Sequence, residues 1–318
     1  MIHGKTEKIS DETVKRVQQE LERSGYIANM AGILLARNNS RIIGVVVNDN
    51  EKYEGRVLED GFVMSSLNAL SHEVNEKGYF LMIKTTSDIS EIPVFASMWN
   101  MDGLILMGFC EADYEKLRNQ MRISFVVYDC YFEKCSKVVN LVINHYDGGY
   151  QVGKYLKELG HKKALCIADN FICMDKERIE GFSKAFGAGE TLRWEIPKTE
   201  KERMCFYEDK YSELIKSNVT AVFAVSDFYA LEFMRFLQGK GIQIPKDIQI
   251  IGFDDNLASR ESNPALTTIH QEAPLRAKTA IKCLEAMRDG AECETEIVLP
   301  VELISPQPCS RHRLPLKR

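Results

Sequence analysis

The chain alternates short, strongly apolar segments with segments of helical periodicity, and this alternation constrains the fold more than any other feature. The apolar segments begin at residue 42 and are rich in Val, Ile and Leu. They are IIGVVV (42–47), YFLMIK (79–84), GLILM (103–107), ISFVVYD (123–129), VVNLVIN (138–144), KALCIA (163–168), TAVFAV (220–225) and IQIIGF (248–253). Such segments are typical of strands buried on both faces of a parallel sheet, with helices as the crossover connections. The sequence therefore predicts an α/β fold.

The same pattern predicts two similar lobes. Apolar residues at helical spacing mark a buried helix over 63–74 that stops at Gly78, and another over 152–159 that stops at Gly160. About five strands precede residue 145 and four to six follow it, with no Pro-rich or low-complexity linker between them. Two such lobes leave a cleft at the carboxyl ends of their strands, where open α/β sheets bind ligands.

Composition excludes several other classes of protein. No apolar run in the 318 residues approaches the roughly 18–20 residues that cross a bilayer. The first ten residues, MIHGKTEKIS, contain no apolar core of a secretory signal. The nine cysteines include no CxxC pair and are too sparse for a disulfide scaffold. We therefore expect a reduced, cytoplasmic protein that does not enter a membrane.

Both ends of the chain are basic relative to an acidic body. Residues 1–41 carry seven Lys or Arg against five Asp or Glu, and residues 309–318 carry four basic residues and no acid, while the net charge is −5. Ser10 is a candidate N-cap for a helix that ends at Gly25, and residues 29–36 (NMAGILLA) form a second short segment that needs a partner surface to order it. A basic segment appended to an acidic body is typical of a nucleic-acid contact.

The common catalytic and metal-binding motifs are incomplete. Gly148–Lys154 fits GxxxxGK, but Tyr155 stands where a phosphate-binding loop needs Ser or Thr for Mg²⁺. Glycines at the start of a helix packed against a sheet explain the string more simply, so we do not predict a nucleotide site from it. His72 and Glu73 begin an HExxH-like string, but Glu76 replaces its second histidine. GxGxxG and GxSxG do not occur. We therefore predict no enzymatic activity, no metal and no cofactor.

Polar side chains follow several of the predicted strands directly. A loop carboxylate or a helix cap explains each of them singly. Together with one arginine just inside a helix start, they offer several acceptors and one forked donor around a common cleft, which favours a hydroxyl-rich ligand. These residues are Asn48, Asp49, Asp129, Ser226, Asp227, Asp254 and the arginine Arg178.

A series of segments, in this order and spacing, resembles the lactose-repressor (LacI/GalR) family of bacterial transcription regulators. The resemblance runs from about Gly4 to about Ile304. It is carried by 9–29 (ISDETVKRVQQELERSGYIAN), RIIGVVV (41–47), MDGLILM (101–107), GGYQVGKYLKELGHKKALCI (148–167), KERIEGF (176–182), VSDFYAL (225–231), GIQIPKDIQIIGFDD (241–255), NPALTTIHQ (263–271) and IVLPVELI (297–304). Each segment is loose alone, but the ordered set is highly specific.

The resemblance implies a type I periplasmic-binding-protein-like fold. It consists of two doubly wound parallel-sheet lobes joined by three crossovers, near 144–147, 267–271 and 293–297, and preceded by a remnant helical DNA-binding head. The expected domains are residues 1–40 for the partial helix-turn-helix head and hinge helix, 41–143 plus 271–294 for the N-terminal effector lobe, 144–267 plus 296–308 for the C-terminal effector lobe, and 309–318 for a basic tail.

The resemblance also implies roles for individual residues in the cleft. Arg178 matches the arginine with which the family clamps its effector, commonly a sugar. Asn48, Asp129, Ser226, Asp227 and Asp254 match polar positions at the strand ends. Asp49 and Tyr53 are further candidates, Tyr53 as a stacking aromatic, although the loop NDNEKYEG departs from the family's usual sequence there. We expect Arg178→Ala to abolish stabilisation by the effector while leaving the unliganded protein almost unchanged.

At the other end of the chain the resemblance implies DNA contacts. Residues 11–24 look like the third helix of the family's head, with Ser10 and Thr13 as candidate DNA contacts. Residues 29–36 look like the hinge helix, with Asn29 and with Leu35 as a wedge into the minor groove. The family's head begins about two helices before Gly4, so we expect the helix that reads the major groove to be absent from this chain.

These inferences predict an effector-responsive transcriptional regulator, specifically a repressor. Its expected partners are a small carbohydrate-like effector, a second copy of the chain in a homodimer, and operator DNA for the full-length form. Two alternatives stay open at this stage. One is a solute-binding receptor of the same fold without DNA binding, and the other is an enzyme that uses the GxxxxGK string on a nucleotide.

Overall fold

The apolar segments form the strands of two parallel sheets, one in each lobe. The computed structural model describes residues 10–25, 40–109, 117, 119–129 and 138–305. The first sheet has six parallel strands in the order β11-β5-β4-β3-β1-β2, and the second has four in the order β7-β6-β8-β9. The strands are β1 (Ile42–Asn48), β2 (Phe80–Thr86), β3 (Gly103–Met107), β4 (Phe125–Tyr128), β5 (Val138–Ile143), β6 (Ala164–Ala168), β7 (Thr191–Glu195), β8 (Ala221–Ala224), β9 (Gln249–Ile251), β10 (Thr268–Gln271), β11 (Glu296–Leu299) and β12 (Val301–Ile304).

Helices cover the sheets, as continuous apolar strands require. The central strands β3, β4, β5, β6 and β8 are buried at every residue. The helices of the described residues are α1 (Asp11–Ser24), α2 (Gly61–Glu76), α3 (Glu91–Met98), α4 (His145–Glu158), α5 (Cys173–Phe186), α6 (Glu200–Lys216), α7 (Asp227–Gly239), α8 (Leu257–Glu261) and α9 (Ala273–Arg288). The α/β class with two parallel sheets is confirmed.

The chain passes between the lobes at three places. The first crossover lies at Asn144, between β5 and α4, and the second follows β10, after which α9 packs against α2 of the first lobe. The sequence placed residues 296–308 in the second lobe, but β11 pairs with β5 of the first sheet. The chain leaves the first sheet after β11, and the next strand, β12, pairs antiparallel with β10 instead. The third crossover therefore lies at Pro300, later than the predicted 293–297.

The amino-terminal helix α1 begins and ends where the sequence predicts. The Ser10 hydroxyl accepts a hydrogen bond from the amide of Thr13, and Gly25 ends the helix in the left-handed conformation at φ 62°. No residue of α1 is buried. Ser10 and Thr13 are exposed or half-exposed on its first turn, whereas Asn29 and Leu35 lie outside the described residues.

Within the described residues, no helix combines the length and the apolar character needed to cross a membrane. The same residues contain no group of three or more His, Cys, Asp or Glu side chains that could hold a metal ion.

Candidate effector-binding cleft

A cavity of about 160 Å³ lies between the lobes at the carboxyl ends of the strands. Both lobes line it, because the loops after β1, β3 and β4 face those after β6, β8 and β9. Apolar side chains form part of the wall, among them Val57, Phe62, Met107 and Phe228. The polar side chains in the wall are Asn48, Asn50, Lys52, Tyr53, Asp60, Tyr128, Asp129, Asp169, Asn170, Asp175, Arg178, Ser226, Tyr229 and Asp254.

Six of the eight residues predicted from the sequence line this cavity. They are Asn48, Tyr53, Asp129, Arg178, Ser226 and Asp254. The Asn48 side chain donates a 2.8 Å hydrogen bond to the carbonyl of Gly108, and the Ser226 hydroxyl caps α7 by accepting from the amide of Tyr229. The strand-end pattern therefore brings together side chains that are up to 206 positions apart in the sequence, Asn48 and Asp254.

The other two predicted residues, Asp49 and Asp227, do not line the cavity. Asp227 is fully buried in the second lobe, where its carboxylate accepts hydrogen bonds from the Thr268 hydroxyl at 2.6 Å and the Asn256 amide at 3.1 Å. The backbone amide of Asp49 donates a hydrogen bond to the carbonyl of Thr86, which continues the pairing of β1 with the edge strand β2. Both directly follow a residue that faces the cleft, and the next side chain along the backbone points elsewhere.

Arg178 reaches the cavity from α5 and is held by the protein on several sides. Its Nε donates to Nδ1 of His145 at 3.2 Å, and Nη1 donates to the carbonyl of Val225. Its guanidinium carbon lies 3.7 Å from the ring centroid of Phe253. Only 5% of the residue is exposed. Because Arg178→Ala removes buried hydrogen bonds as well as a cleft donor, the structure leads us to expect that the substitution also destabilises the unliganded protein.

Asp129 anchors a buried polar network that connects the lobes. Its Oδ1 lies 2.7 Å from Nη2 of Arg276 and 2.9 Å from Nε2 of His145. Burial alone would raise the pKa of Asp129, but Arg276 and His145 outweigh burial and hold that pKa well below its usual range. Burial lowers the pKa of His145 to about 4, with Arg178 adding to the effect, so the imidazole is neutral at pH 7. A neutral ring is also what the geometry requires, since Nδ1 accepts from Arg178 while Nε2 donates to Asp129.

The network continues from Arg276 to the second lobe. Nη1 of Arg276 donates to the amide oxygen of Gln271 at 3.3 Å, and the amide nitrogen of Gln271 donates to Asp254 at 2.7 Å. Asp129 and Asp254 both have positive φ angles, 56° and 131°, which are rare for residues with a side chain. Backbone strain of this kind is often found at ligand sites, and here it falls on Asp129 at the centre of the network and on Asp254 at its end in the second lobe.

Two further carboxyl groups in the wall are poorly neutralised by the protein. Burial raises the pKa of Asp175 to about 6, an effect that Arg178 and Lys52 only partly oppose. Burial also raises the pKa of Asp254 well above its usual range, and the nearby Asp227 and Asp60 add to the increase. Both shifts favour the protonated, uncharged forms of these carboxyl groups, because the protein places too little positive charge beside them to offset their burial.

Several lining residues escaped the sequence analysis. Asp169 directly follows β6, so the rule that found Asp129 applies to it equally. Tyr128 is the last residue of β4. Lys52, Asp175 and Tyr229 carry no such signal, because their positions depend on how the loop after β1 and the helices α5 and α7 meet across the cleft.

The glycines of the GxxxxGK string serve helix packing. A Cβ on Gly149 would lie 1.8 Å from the carbonyl oxygen of Arg178, and a Cβ on Gly153 would lie 2.5 Å from the carbonyl oxygen of Phe182. Glycine at these positions lets α4 approach the backbone of α5 closely. The string is therefore explained by the contact that places Arg178 in the cleft, and it forms no phosphate-binding loop.

Two α/β lobes around a polar cleft, joined by three crossovers, define the class of periplasmic-binding-protein-like effector domains. Residues 154–307 match the family described as periplasmic binding protein-like domain. The chain is 29% identical to the HTH-type transcriptional repressor PurR of Pasteurella multocida (strain Pm70), over 95% of this chain and 91% of that protein.

Solved structures agree with this assignment of the fold. The lac repressor dimer bound to operator and the anti-inducer ONPF superposes with a TM-score of 0.78 at 21% identity, covering 93% of this chain and 90% of that one. The complex of the transcriptional regulator CelR with cellobiose gives a TM-score of 0.71 at 20% identity, covering 94% and 91%. The chain therefore shares the fold of these solved structures, and it is similar in sequence to the PurR repressors over nearly its whole length.

Proposed function

We propose that this protein is an effector-responsive transcriptional repressor that senses a sugar or a related small metabolite in the cleft between its lobes. The observation that carries the proposal is the cavity itself, whose wall takes hydrogen-bonding side chains from both lobes. The PurR relative is named as a transcriptional repressor, and the CelR structure contains cellobiose. We propose no catalytic role for the cleft.

A ligand in this cleft can act as a switch because it touches both lobes. Contacts to Asn48 and Asp129 on one side and to Arg178 and Asp254 on the other favour the arrangement of the lobes in which all four are in reach. The network from Asp129 through His145 to Arg178 runs beside the first crossover, so the ligand also acts on the place where the lobes pivot. The relative position of the first lobes in a dimer would then carry the signal to DNA.

The proposal includes a homodimer formed through the first lobe. An exposed apolar surface covers β2 and α3 at the edge of its sheet, where Phe80 is 54%, Val94 58% and Met98 71% exposed. Contiguous apolar surface of this kind on a soluble protein marks an interaction site, and a symmetric pair buries the same patch on both copies. The lac repressor structure of the same fold is a dimer. We place the working protein in the cytoplasm, with its DNA.

The DNA-binding part of the proposal is tested by selection from genomic DNA. The complete gene product is incubated with sheared DNA of its own organism, and the retained fragments are sequenced. We expect enrichment of a pseudo-palindromic site that a small-molecule extract of the same cells weakens or strengthens. No sequence-specific enrichment, with a stabilising ligand nevertheless found for the cleft, would instead identify a solute-binding receptor.

A further inference from the structure

The cleft already contains an ammonium group, supplied by the chain itself. Lys52 lies in the short helical turn Glu51–Tyr53 that follows β1, and its side chain enters the cavity wall. Its Nζ lies 4.9 Å from the ring centroid of Tyr53 and 5.7 Å from that of Tyr229. Distances below about 6 Å are those at which a cation is attracted to an aromatic face. One ring belongs to each lobe, so the ammonium lies between the lobes.

Carboxylates of the second lobe act on the same ammonium. Burial by itself would lower the pKa of Lys52, but Tyr53, Tyr229, Asp169 and Asp175 together raise it well above its usual range. Asp169 and Asp175 line the cavity beside the rings. Aromatic faces combined with carboxylates are the usual recognition site for a protonated amine.

The charge of the whole wall points in the same direction. Five carboxylates line the cavity, and the cations in the wall are Lys52 and Arg178. Arg276 lies behind Asp129 and neutralises it. With His145 neutral, the carboxyl groups of the wall still outnumber the cations beside them, and the raised pKa values of Asp175 and Asp254 indicate that positive charge is in short supply there. This opposes entry of a phosphate or a carboxylate and favours entry of a cation.

Two buried hydroxyl groups show that the wall is prepared for a polar ligand. Tyr128 and Tyr229 line the cavity from opposite lobes and are only 3% and 1% exposed. Neither hydroxyl has a hydrogen-bond partner among the described residues. A buried polar group left without a partner costs free energy, so a ligand that carries hydroxyls beside its amine recovers it.

We propose that the cleft recognises a hydroxylated ligand bearing a protonated amine, of the amino-sugar class, and that the Lys52 ammonium occupies the position of that amine until the ligand displaces it. The proposal rests on the proposed effector cleft and specifies its ligand. It assigns the amine to the site formed by Tyr53, Tyr229, Asp169 and Asp175. It also makes Lys52 a built-in competitor of the effector.

The first test needs no knowledge of the natural effector. Lys52→Ala removes the side-chain ammonium and leaves its site vacant, and n-propylammonium chloride is the probe that replaces the lost atoms. Thermal unfolding is followed with this probe, with 1-propanol and with sodium propionate, all at the same millimolar concentration and at matched ionic strength. We expect the ammonium salt alone to raise the melting temperature of Lys52→Ala, with no comparable effect on the parent protein.

Two further variants make the result specific. Lys246→Ala removes an exposed lysine far from the cavity wall and should give no response to the probe. Lys52→Ala combined with Asp175→Asn should lose the response, because it removes the charge of one of the two carboxylates whose electrostatic attraction favours an ammonium at this position. Equal responses of Lys52→Ala to propylammonium chloride and to 1-propanol or sodium propionate, or a response that survives the loss of the Asp175 charge, would refute the ammonium site.

The second test compares ligand classes by calorimetry. Glucosamine, galactosamine and mannosamine are measured against their parent sugars and the corresponding 6-phosphates. At least one amine should bind, and Lys52→Ala should bind it about tenfold tighter, the change expected when one competing cation–π contact is removed. Tighter binding of a parent sugar or phosphate, no binding by any amine, or weaker binding of the amine to Lys52→Ala would overturn the proposal.

The outcomes separate this inference from the proposed function. Specific DNA enrichment without any propylammonium response refutes the ammonium site alone. A propylammonium response without DNA enrichment keeps the site and refutes the regulator.

Discussion

Replacing Gly149 by alanine should damage both the stability of the second lobe and the cleft. Gly149 lies on α4 where that helix crosses α5, and an added Cβ would lie 1.8 Å from the carbonyl oxygen of Arg178 and 2.7 Å from its carbonyl carbon. The crossing is reciprocal, since a Cβ on Gly181 of α5 would lie 1.9 Å from the carbonyl oxygen of Tyr146. The obstacle in each case is backbone, which cannot rotate away as a side chain can.

The size of the effect follows from these distances. Real Cβ atoms essentially never approach another heavy atom closer than 3.0 Å, so the two helices must separate by more than 1 Å. Overpacking of a core typically costs about 1–3 kcal/mol, and a rigid obstacle puts Gly149→Ala at about 3 kcal/mol or above. For a folding unit of this size each kcal/mol lowers the melting temperature by about 2–4 °C, so we expect a decrease of about 6–12 °C. Because the displaced segment contains Arg178, stabilisation by any cleft ligand should fall as well.

Thermal unfolding by circular dichroism, with and without a cleft ligand, measures both effects. The matched control is Gly239→Ala, which also replaces a helical glycine but places the new Cβ in open space. We expect this control to be neutral or more stable by about 0.4–1 kcal/mol, because it restricts the unfolded chain. If Gly149→Ala unfolded at the same temperature as the parent protein and responded equally to a ligand, the close approach of α4 and α5 would be refuted.

Three further predictions concern a buried acid, a buried ion pair and the apolar surface. Burial raises the pKa of Asp227 to about 6, so the folded state takes up a proton before the unfolded state does. Relative to Asp227→Asn, the free energy of unfolding should therefore rise by up to about 3 kcal/mol as the pH falls from 7 toward 4, measured by urea titration. Two nitrogens of the buried Arg203 each donate a 2.7 Å hydrogen bond to the carboxylate of Glu232. Glu232→Gln should lower the free energy of unfolding by about 3–5 kcal/mol, because it leaves Arg203 buried without its charge partner. The same titration on Glu208→Gln, which breaks a largely exposed pair, should show about 1 kcal/mol or less. Met98→Glu should leave unfolding almost unchanged but shift the protein toward monomer in light scattering, and an unaltered dimer would remove β2 and α3 from the proposed interface.

The core strands were predictable because each carries its own signal. All eight apolar segments found in the sequence coincide with strands. For the central strands the reason is that a strand buried on both faces must be apolar throughout, whereas the edge strand β2 owes its apolar residues to the exposed apolar surface described above. Strand β7 was missed because it lies at the edge of the second sheet, where three of its five residues are exposed and its sequence, TLRWE, alternates instead. The assignment of β11 to the wrong lobe has a related cause. Its half-exposed sequence contains nothing that specifies β5 as its neighbour.

Some residues of the candidate site were likewise predictable from local sequence, and others were not. Parallel strands put their carboxyl ends at one edge, so the residue that follows a strand is placed near the cleft by local sequence alone, as Asn48, Asp129 and Asp254 show. Whether the next side chain also faces the cleft depends on the exact turn, which is why Asp49 and Asp227 were wrongly included.

Local sequence was sufficient to predict the fold class, the helix α1 with its cap at Ser10, and the edge of the sheets at which a ligand site forms, because periodicity, capping and strand ends are local properties. The partners of the charged groups at that edge come from distant elements. Arg276 neutralises Asp129 from a position 147 residues away, and the Lys52 ammonium lies near the rings of Tyr53 in one lobe and Tyr229 in the other. Such pairs depend on how separate elements pack across the crossovers, and a pattern within one element cannot specify its neighbours in space.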